Sequence, residues 1–149
     1  MTMTNSGAES VRLTLFPYGG EFEFPRHFDV LGGTSVTVTA PEYDLVLTGP
    51  NGFRRGLRGS SGDFVAVRGC IMAEPRAVAL EIENLTGHIV HVRIAGDPLN
   101  VHPDRPETVM IRCEDAHGWY DVSITCPEDP HFLRRLMGHI ENGAPSISG

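Results

Sequence analysis

The chain has 149 residues, with twelve basic and nineteen acidic side chains and a formal net charge of −7. This length suits one domain and is enough to bury a core without disulfides or metals. The acidic balance argues against nucleic acid as the main partner, because phosphate binding needs a basic surface. Seventeen glycines and eleven prolines make up 28 of the 149 residues, about 19% of the chain against a usual ~12%. Such a high share favours short strands joined by turns. No stretch approaches the ~20 apolar residues of a transmembrane helix.

The first ten residues are small and polar, which predicts a disordered lead. They also lack the basic and apolar regions of a signal peptide. From residue 11 onward, apolar side chains alternate with polar ones in short stretches separated by turn residues. This alternation predicts antiparallel strands with one buried and one wet face. The predicted strands are residues 11–16, 35–39, 43–48, 64–72, 77–83, 88–94, 108–113 and 119–126.

An internal repeat predicts two similar β-hairpins. Residues 43–48 (YDLVLT) lead through a turn into residues 53–59 (FRRGLRG). Residues 120–125 (YDVSIT) lead through a longer turn into residues 132–138 (FLRRLMG). The second copy also fits helical spacing, and one helical turn near Leu136 stays open as an alternative. The glycines of the first copy suit a helix poorly, so the repeat favours strands in both copies.

The first turn is shaped by Gly49, Pro50, Asn51 and Gly52. Pro50 presets its own φ, whereas Asn51 and Gly52 tolerate positive φ. Together these patterns predict an all-β fold, an antiparallel immunoglobulin-like β-sandwich of roughly eight to eleven short strands. We expect one domain over residues 11–149, with pseudo-repeats at 11–59 and 63–149.

The two hairpins carry a family resemblance. Residues 43–59 resemble the ending of the repeated C-terminal domain of bacterial phospholipases C, and residues 118–143 resemble the ending of its last repeat. Residues 25–30 are similar to the strand that precedes the first motif, and residues 145–148 to the tail that closes such enzymes. The resemblance runs from about residue 20 to the end.

The resemblance implies that this chain is non-catalytic by itself. In that family of secreted enzymes, which cleave phosphatidylcholine and sphingomyelin, catalysis resides in a large N-terminal domain similar to alkaline phosphatases. No catalytic residue of that domain is carried over here. The implied role is accessory: support of a catalytic domain, or contact with phospholipid headgroups or a protein partner. The resembled family is exported, although residues 1–10 show no signal peptide.

Pairs of arginines in the two hairpins are the main polar feature. Adjacent residues on a strand face opposite sides, so one arginine of each pair would face outward toward anions. Alternatively, these side chains protect an edge strand or pair internally with Asp44 and Asp121. The candidate anion- or headgroup-binding residues are Arg54, Arg55, Arg58, Arg134 and Arg135.

Neither a metal nor another cofactor is predicted. The seven histidines show no familiar zinc spacing, and the acidic loops lack the Asp-x-Asp-x-Asp pattern typical of calcium sites. Cys70, Cys113 and Cys126 are predicted to be free and buried, with a Cys113–Cys126 disulfide open as an alternative. Trp119 and Tyr120 are expected to anchor the core, since large aromatic side chains usually bury.

Two other function classes stay open. A stand-alone carbohydrate- or protein-binding module would present a concave face with an exposed Trp or Tyr. A small metal-dependent hydrolase would gather His and carboxylate side chains with perturbed pKa values in a pocket.

Overall fold

A computed structural model describes residues 1–143, and across these residues the regular structure is entirely antiparallel strand. The tail at residues 145–148 lies outside the described residues. Within the described part of the chain, no helix long and apolar enough to cross a membrane occurs. The strands are β1 (Thr2–Thr4), β2 (Val11–Pro17), β3 (Arg26–Val30), β4 (Ser35–Thr37), β5 (Glu42–Thr48), β6 (Arg54–Ser60), β7 (Val65–Met72), β8 (Ala77–Asn84), β9 (Val90–Ile94), β10 (Asp97–Val101), β11 (Glu107–Arg112), β12 (Trp119–Cys126) and β13 (Asp129–His139).

One large sheet runs through the whole domain. Its eight strands follow the order β10-β9-β12-β13-β6-β5-β2-β3. Both predicted hairpins are present in it, as β5–β6 and β12–β13. Their second strands pair with each other, because β13 lies antiparallel to β6. The two halves of the chain are therefore joined by backbone hydrogen bonds at the middle of the sheet.

Two smaller sheets cover one face of the large sheet and enclose two separate cores. Strands β1 and β4 form the first small sheet, and Met3 of β1 packs with Leu15 and Leu45 in one core. Strands β11, β8 and β7 form the second, and Leu80 of β8 packs with Phe132 in the other core. The opposite face of the large sheet carries the polar members of the alternating pattern.

The predicted all-β antiparallel sandwich is confirmed, with corrections of detail. The described residues hold thirteen strands rather than roughly eight to eleven. Residues 2–4 are not a disordered lead: Met3 is 5% exposed and pairs with Val36, and this apolar contact orders β1. Strand β10 was not predicted, since Pro98 interrupts its pattern; it lies at the edge of the sheet, where a missing N–H is tolerated. Leu136 lies in β13, not in a helical turn.

Candidate functional site

The turn between β5 and β6 sets where the arginine-bearing strand begins. Asn51 and Gly52 have φ values of 53° and 69°, the positive angles that a tight hairpin turn of this type requires. The Phe53 amide donates to the Pro50 carbonyl at 2.9 Å, and the Gly49 amide donates to the Phe53 carbonyl at 2.9 Å. The turn thus places Arg54 at the first position of β6.

The register of β6 against β13 decides which way each arginine points. Gly56 lies opposite Arg135, and Arg55 lies opposite Leu136. Because Leu136 is 5% exposed and belongs to the core, Arg55 shares the core-side face of the sheet. Arg54 and Arg135 lie on the outer face. Adjacent arginines therefore do point to opposite sides, as the strand pattern predicts.

Arg134 is mostly buried on the core-side face of the sheet, and both of its terminal nitrogens are engaged. Its Nη2 lies 2.6 Å from Oδ2 of Asp63, and the two side chains are only 13% and 8% exposed. The same nitrogen donates to the hydroxyl of Tyr43, and Nη1 donates to the Arg58 carbonyl at 2.8 Å. Burial and the hydrogen bond to Asp63 raise the pKa of Tyr43 to about 12. These contacts leave Arg134 no free fork for an external anion.

Arg55 makes the matching contacts from the other strand. Its Nη2 donates to the hydroxyl of Tyr120 at 3.0 Å, and its Nη1 donates to the carbonyl of Met137 at 2.8 Å. Its guanidinium also lies 4.1 Å from the centroid of the Phe53 ring, a cation–π distance. Arg55 is thus committed to the contact between the two halves.

The outer face keeps the other three candidate arginines. Arg135 forms a two-pronged pair with Asp121 at 2.8 and 2.6 Å, and this hydrogen bonding and charge lower the pKa of Asp121. Arg58 is exposed and donates to the His131 carbonyl at 3.1 Å. Arg54 is exposed, and within residues 1–143 its guanidinium has no hydrogen-bond or ion-pair partner. The alternative of internal pairing with Asp121 therefore applies to Arg135.

Asp44 behaves differently from Asp121. It lies beside Arg58 in the β5–β6 register, yet it forms no salt bridge among the described residues. Its backbone amide donates to the Glu21 carboxylate, and its backbone carbonyl accepts the Tyr18 amide. The expectation of an Arg–Asp44 pair is thus wrong, because Arg58 turns toward the β13 backbone.

Trp119 is 42% exposed, so its assignment to the core is wrong. Tyr120 takes the buried position with 7% exposure, and strand alternation turns its neighbour outward. The indole lies against the ring of His139, with centroids 4.8 Å apart. It borders an open cleft of about 270 Å³. The cleft is lined by Gly52, Trp119, Tyr120, Asp121, Met137 and Gly138.

We give the name outer junction face to the surface formed by four exposed side chains and one half-buried one. The exposed ones are Arg54, Arg58, Trp119 and Arg135, and the half-buried one is Met137. It straddles the strands that join the two halves, since Arg54 lies opposite Met137 and Arg58 opposite Leu133. It combines guanidinium groups with an exposed indole.

The remaining titratable side chains do not gather into a metal site. Across residues 1–143, no group of three or more His, Cys, Asp or Glu side chains converges. His91 hydrogen bonds to Glu128. All three cysteines are free. Cys113 and Cys126 are buried, and burial raises the pKa of both thiols. Cys70 is exposed, so the expectation that it is buried is wrong.

Sequence reasoning missed Asp63, the carboxylate that neutralises Arg134. It lies between the predicted strands at residues 53–59 and 64–72, and it is 71 residues away from its partner in the sequence. A usable signal was the equivalence of Tyr43 and Tyr120 in the repeat, since each phenol receives an arginine from the opposite half.

Comparison with known proteins identifies relatives with phospholipase names. The non-hemolytic phospholipase C of Burkholderia pseudomallei is 31% identical over 135 residues, covering 76% of this chain and 18% of the relative. The hemolytic phospholipase C of Pseudomonas aeruginosa is 29% identical over 125 residues, covering 71% and 16%. The non-hemolytic enzyme of that organism is 27% identical over 123 residues, covering 72% and 18%. The chain therefore spans less than a fifth of the length of the curated relatives it matches.

The family described as bacterial phospholipase C, C-terminal domain, matches residues 1–60 and 67–139. These stretches take in both hairpins and nearly all of the described chain. The expected resemblance is confirmed, and the chain belongs to the bacterial phospholipase C C-terminal domain family.

Proposed function

We propose that this chain is a non-catalytic accessory domain that supports a separate phospholipase C catalytic domain through its outer junction face. The observation that carries the proposal is that Trp119 is 42% exposed and that the guanidinium of Arg54, on the same sheet face, has no hydrogen-bond or ion-pair partner among residues 1–143. The matched relatives bear phospholipase C names, and the matched part is less than a fifth of their length. A support role for a small matched part of a larger enzyme follows naturally.

The composition of the outer junction face suits a protein contact. Trp, Met and Arg are the residue types enriched in protein–protein interfaces, and Trp and Arg dominate their energetic centres. The chain as a whole carries a net charge of −7, and on this face Arg135 is paired with Asp121 and Arg58 donates to the His131 carbonyl. The Arg54 cation is therefore the group left to meet an acidic partner surface.

Of the five candidate anion-binding arginines, the proposal keeps Arg54, Arg58 and Arg135. The other two candidates, Arg55 and Arg134, hold the halves of the sheet together. A substitution of Arg54 is therefore expected to weaken docking without unfolding the domain, whereas a substitution of Arg134 acts on folding.

A chimeric enzyme tests the proposal. The matched segment of the Burkholderia pseudomallei phospholipase C is replaced by this chain, and thermal unfolding and phospholipid hydrolysis are measured against the enzyme truncated before that segment. We expect the chimera to be more stable than the truncated enzyme, and the W119S and R54S variants to lose that gain. Leu85→Ser is the matched control, since Leu85 is 56% exposed and lies outside the outer junction face. A chimera no more stable than the truncated enzyme contradicts the proposal.

The isolated chain is expected to hydrolyse neither phosphatidylcholine nor a p-nitrophenyl ester, with or without added zinc or calcium. Turnover by the isolated chain that survives purification to homogeneity would instead support the hydrolase alternative.

A carbohydrate-binding module is a second candidate because Trp119 is exposed. The indole can stack against a sugar ring. The Asp121 carboxylate, which lines the same cleft, can accept hydrogen bonds from the sugar hydroxyls. Quenching or shifting of the fluorescence of Trp119, the chain's single tryptophan, by soluble oligosaccharides tests this candidate. An unchanged emission spectrum across an oligosaccharide panel removes it.

A further inference from the structure

The loop between β2 and β3 presents the two most exposed large hydrophobic side chains described in this protein. Phe24 is 69% exposed and Tyr18 is 67% exposed. Both lie just beyond Leu15 and Arg26, the last residue pair of the β2–β3 hairpin. Both aromatic side chains therefore belong to one hairpin end, and no part of residues 1–143 covers them. We call this pair the Tyr18–Phe24 tip.

The loop is tied down from within. The Tyr18 amide donates to the Asp44 carbonyl at 2.8 Å. The Glu21 carboxylate accepts the Gly19 amide at 3.1 Å and also accepts the Asp44 amide. These internal bonds satisfy the Gly19 and Asp44 amides, so those amides need no water. A loop satisfied in this way can enter a low-dielectric region at smaller cost.

Arg26, the first residue of β3, lies at the base of this loop. The Arg26 guanidinium lies 4.2 Å from the centroid of the Phe22 ring, and Phe22 packs against the first core. Within the described part of the chain, Arg26 forms no salt bridge. The Phe22 ring thus holds the guanidinium in place, and its N–H donors remain available. The planar arrangement of these donors matches the oxygens of a phosphate.

We propose that the Tyr18–Phe24 tip inserts into the interfacial region of a phospholipid bilayer while Arg26 binds a lipid phosphate. Aromatic side chains favour the headgroup level, where one end is apolar and the other wet. The loop and its end carry Glu21 and Glu23 against Arg26, a net excess of one negative charge. This balance suits a zwitterionic headgroup surface better than a strongly anionic one. This surface is separate from the outer junction face, so the proposal does not rest on docking to a catalytic domain.

The order of the charges favours a membrane over a protein partner. Arg26 begins β3, whereas Tyr18 and Phe24 lie in the loop beyond the strand ends, so the cation is set back from the two aromatic residues along the hairpin. This order matches the depth profile of a bilayer, in which phosphate lies above the acyl region. A protein pocket for the same tip would demand no such layering.

Vesicle co-sedimentation of the full chain tests the proposal. The vesicles are phosphatidylcholine alone, and phosphatidylcholine mixed with phosphatidylglycerol, each at low and high salt. We expect binding to both compositions, with little loss at high salt. The Y18S/F24S double variant is expected to reduce the partition coefficient roughly tenfold or more, and R26Q to reduce it severalfold. The L85S/I89S double variant is the matched control, since Leu85 and Ile89 are 56% and 44% exposed elsewhere, and it should bind like the unmodified chain.

A depth measurement separates insertion from surface contact. Phe24→Trp in a Trp119→Phe background should be quenched by brominated phosphatidylcholine. Absence of binding to either vesicle overturns the proposal and leaves a protein as the partner for this tip. Binding only to the anionic vesicles at low salt, unchanged in Y18S/F24S, overturns it in favour of charge attraction elsewhere on the chain. Equal losses in the loop and control variants also overturn it.

Discussion

Arg55 and Arg134 cross the junction between β6 and β13 in opposite directions. Arg55 leaves β6 to reach the hydroxyl of Tyr120, and Arg134 leaves β13 to reach the hydroxyl of Tyr43. Each guanidinium therefore connects its own half of the chain to the other half. Arg134 alone also meets a buried carboxylate, Asp63, so the two crossings differ in electrostatic character.

Removing the Arg134 cation is expected to destabilise the fold strongly. In Arg134→Met, the carboxylate of Asp63, 8% exposed, stays buried without its partner. We expect the free energy of unfolding in urea to fall by about 3–5 kcal/mol. Arg135→Met is the control: its pair with Asp121 is about half exposed, and its loss should cost less than about 1 kcal/mol. Equal losses for the two variants would disprove the assignment of Arg134 as the buried link.

The raised pKa of Tyr43 predicts a loss of stability at high pH. Folding raises this pKa from 10.0 to about 12, so the native state favours the protonated phenol. The contribution is fully present below pH ~10 and is lost as the pH rises toward 12. It amounts to about 1–2 kcal/mol once solvent screening of this half-buried phenol is allowed for. Unfolding in urea from pH 8 to 12 measures it; Tyr43→Phe should flatten the decline, and the exposed-site control Tyr18→Phe should leave it unchanged.

The β5–β6 turn predicts a contrast between two glycines. Gly52 has φ 69°, and a Cβ there would lie 3.3 Å from the Trp119 ring, so Gly52→Ala should cost about 1 kcal/mol of unfolding free energy. Gly56 lies in β6 without positive φ, and its Cβ would meet Arg135 at an ordinary 3.5 Å. Gly56→Ala should therefore change the free energy of unfolding by less than about 0.5 kcal/mol. Thermal or urea unfolding of both variants decides the point, and a larger effect at Gly56 would contradict this account of the turn.

The three thiols are expected to react in two classes. Cys70 is exposed, whereas Cys113 and Cys126 are buried, with pKa values raised by burial. A thiol-reactive chromogen should modify one cysteine of the native protein quickly and the other two only after unfolding in denaturant. Cys70→Ser should abolish the fast phase alone. A total of one reactive thiol in the unfolded, unreduced protein would reveal a Cys113–Cys126 disulfide instead.

Strand alternation in the sequence predicts both the strands and their buried faces, whereas general residue tendencies misplace individual side chains. Alternation at Tyr120, Val122 and Ile124 predicts a buried face, and all three are buried. The same alternation turns Trp119 outward, whereas the general tendency of large aromatic side chains to bury predicts the wrong side for it. Local periodicity was the better guide because a strand cannot turn two adjacent side chains to one side.

Distant partners lay beyond sequence reasoning. The strand pattern predicts that Arg134 and Arg135 point to opposite sides, but it does not say which of them meets the core. The answer depends on Asp63, whose approach is set by how β6 and β13 pair. Likewise, β1 has only three residues, and Met3 is ordered by contact with a core built from later strands.

The pairing of β6 with β13 has one more consequence. Gly56 and Arg135 occupy equivalent positions in the two hairpins, and they lie opposite each other. The β6–β13 junction therefore has a pseudo-two-fold axis that passes between these two residues. This is the geometry of an isologous contact between two identical subunits. Either half alone would expose β6 or β13 as an open edge, and two copies of that half would be expected to associate in the same register. In the intact chain both halves are tethered on one polypeptide, so this association is independent of protein concentration.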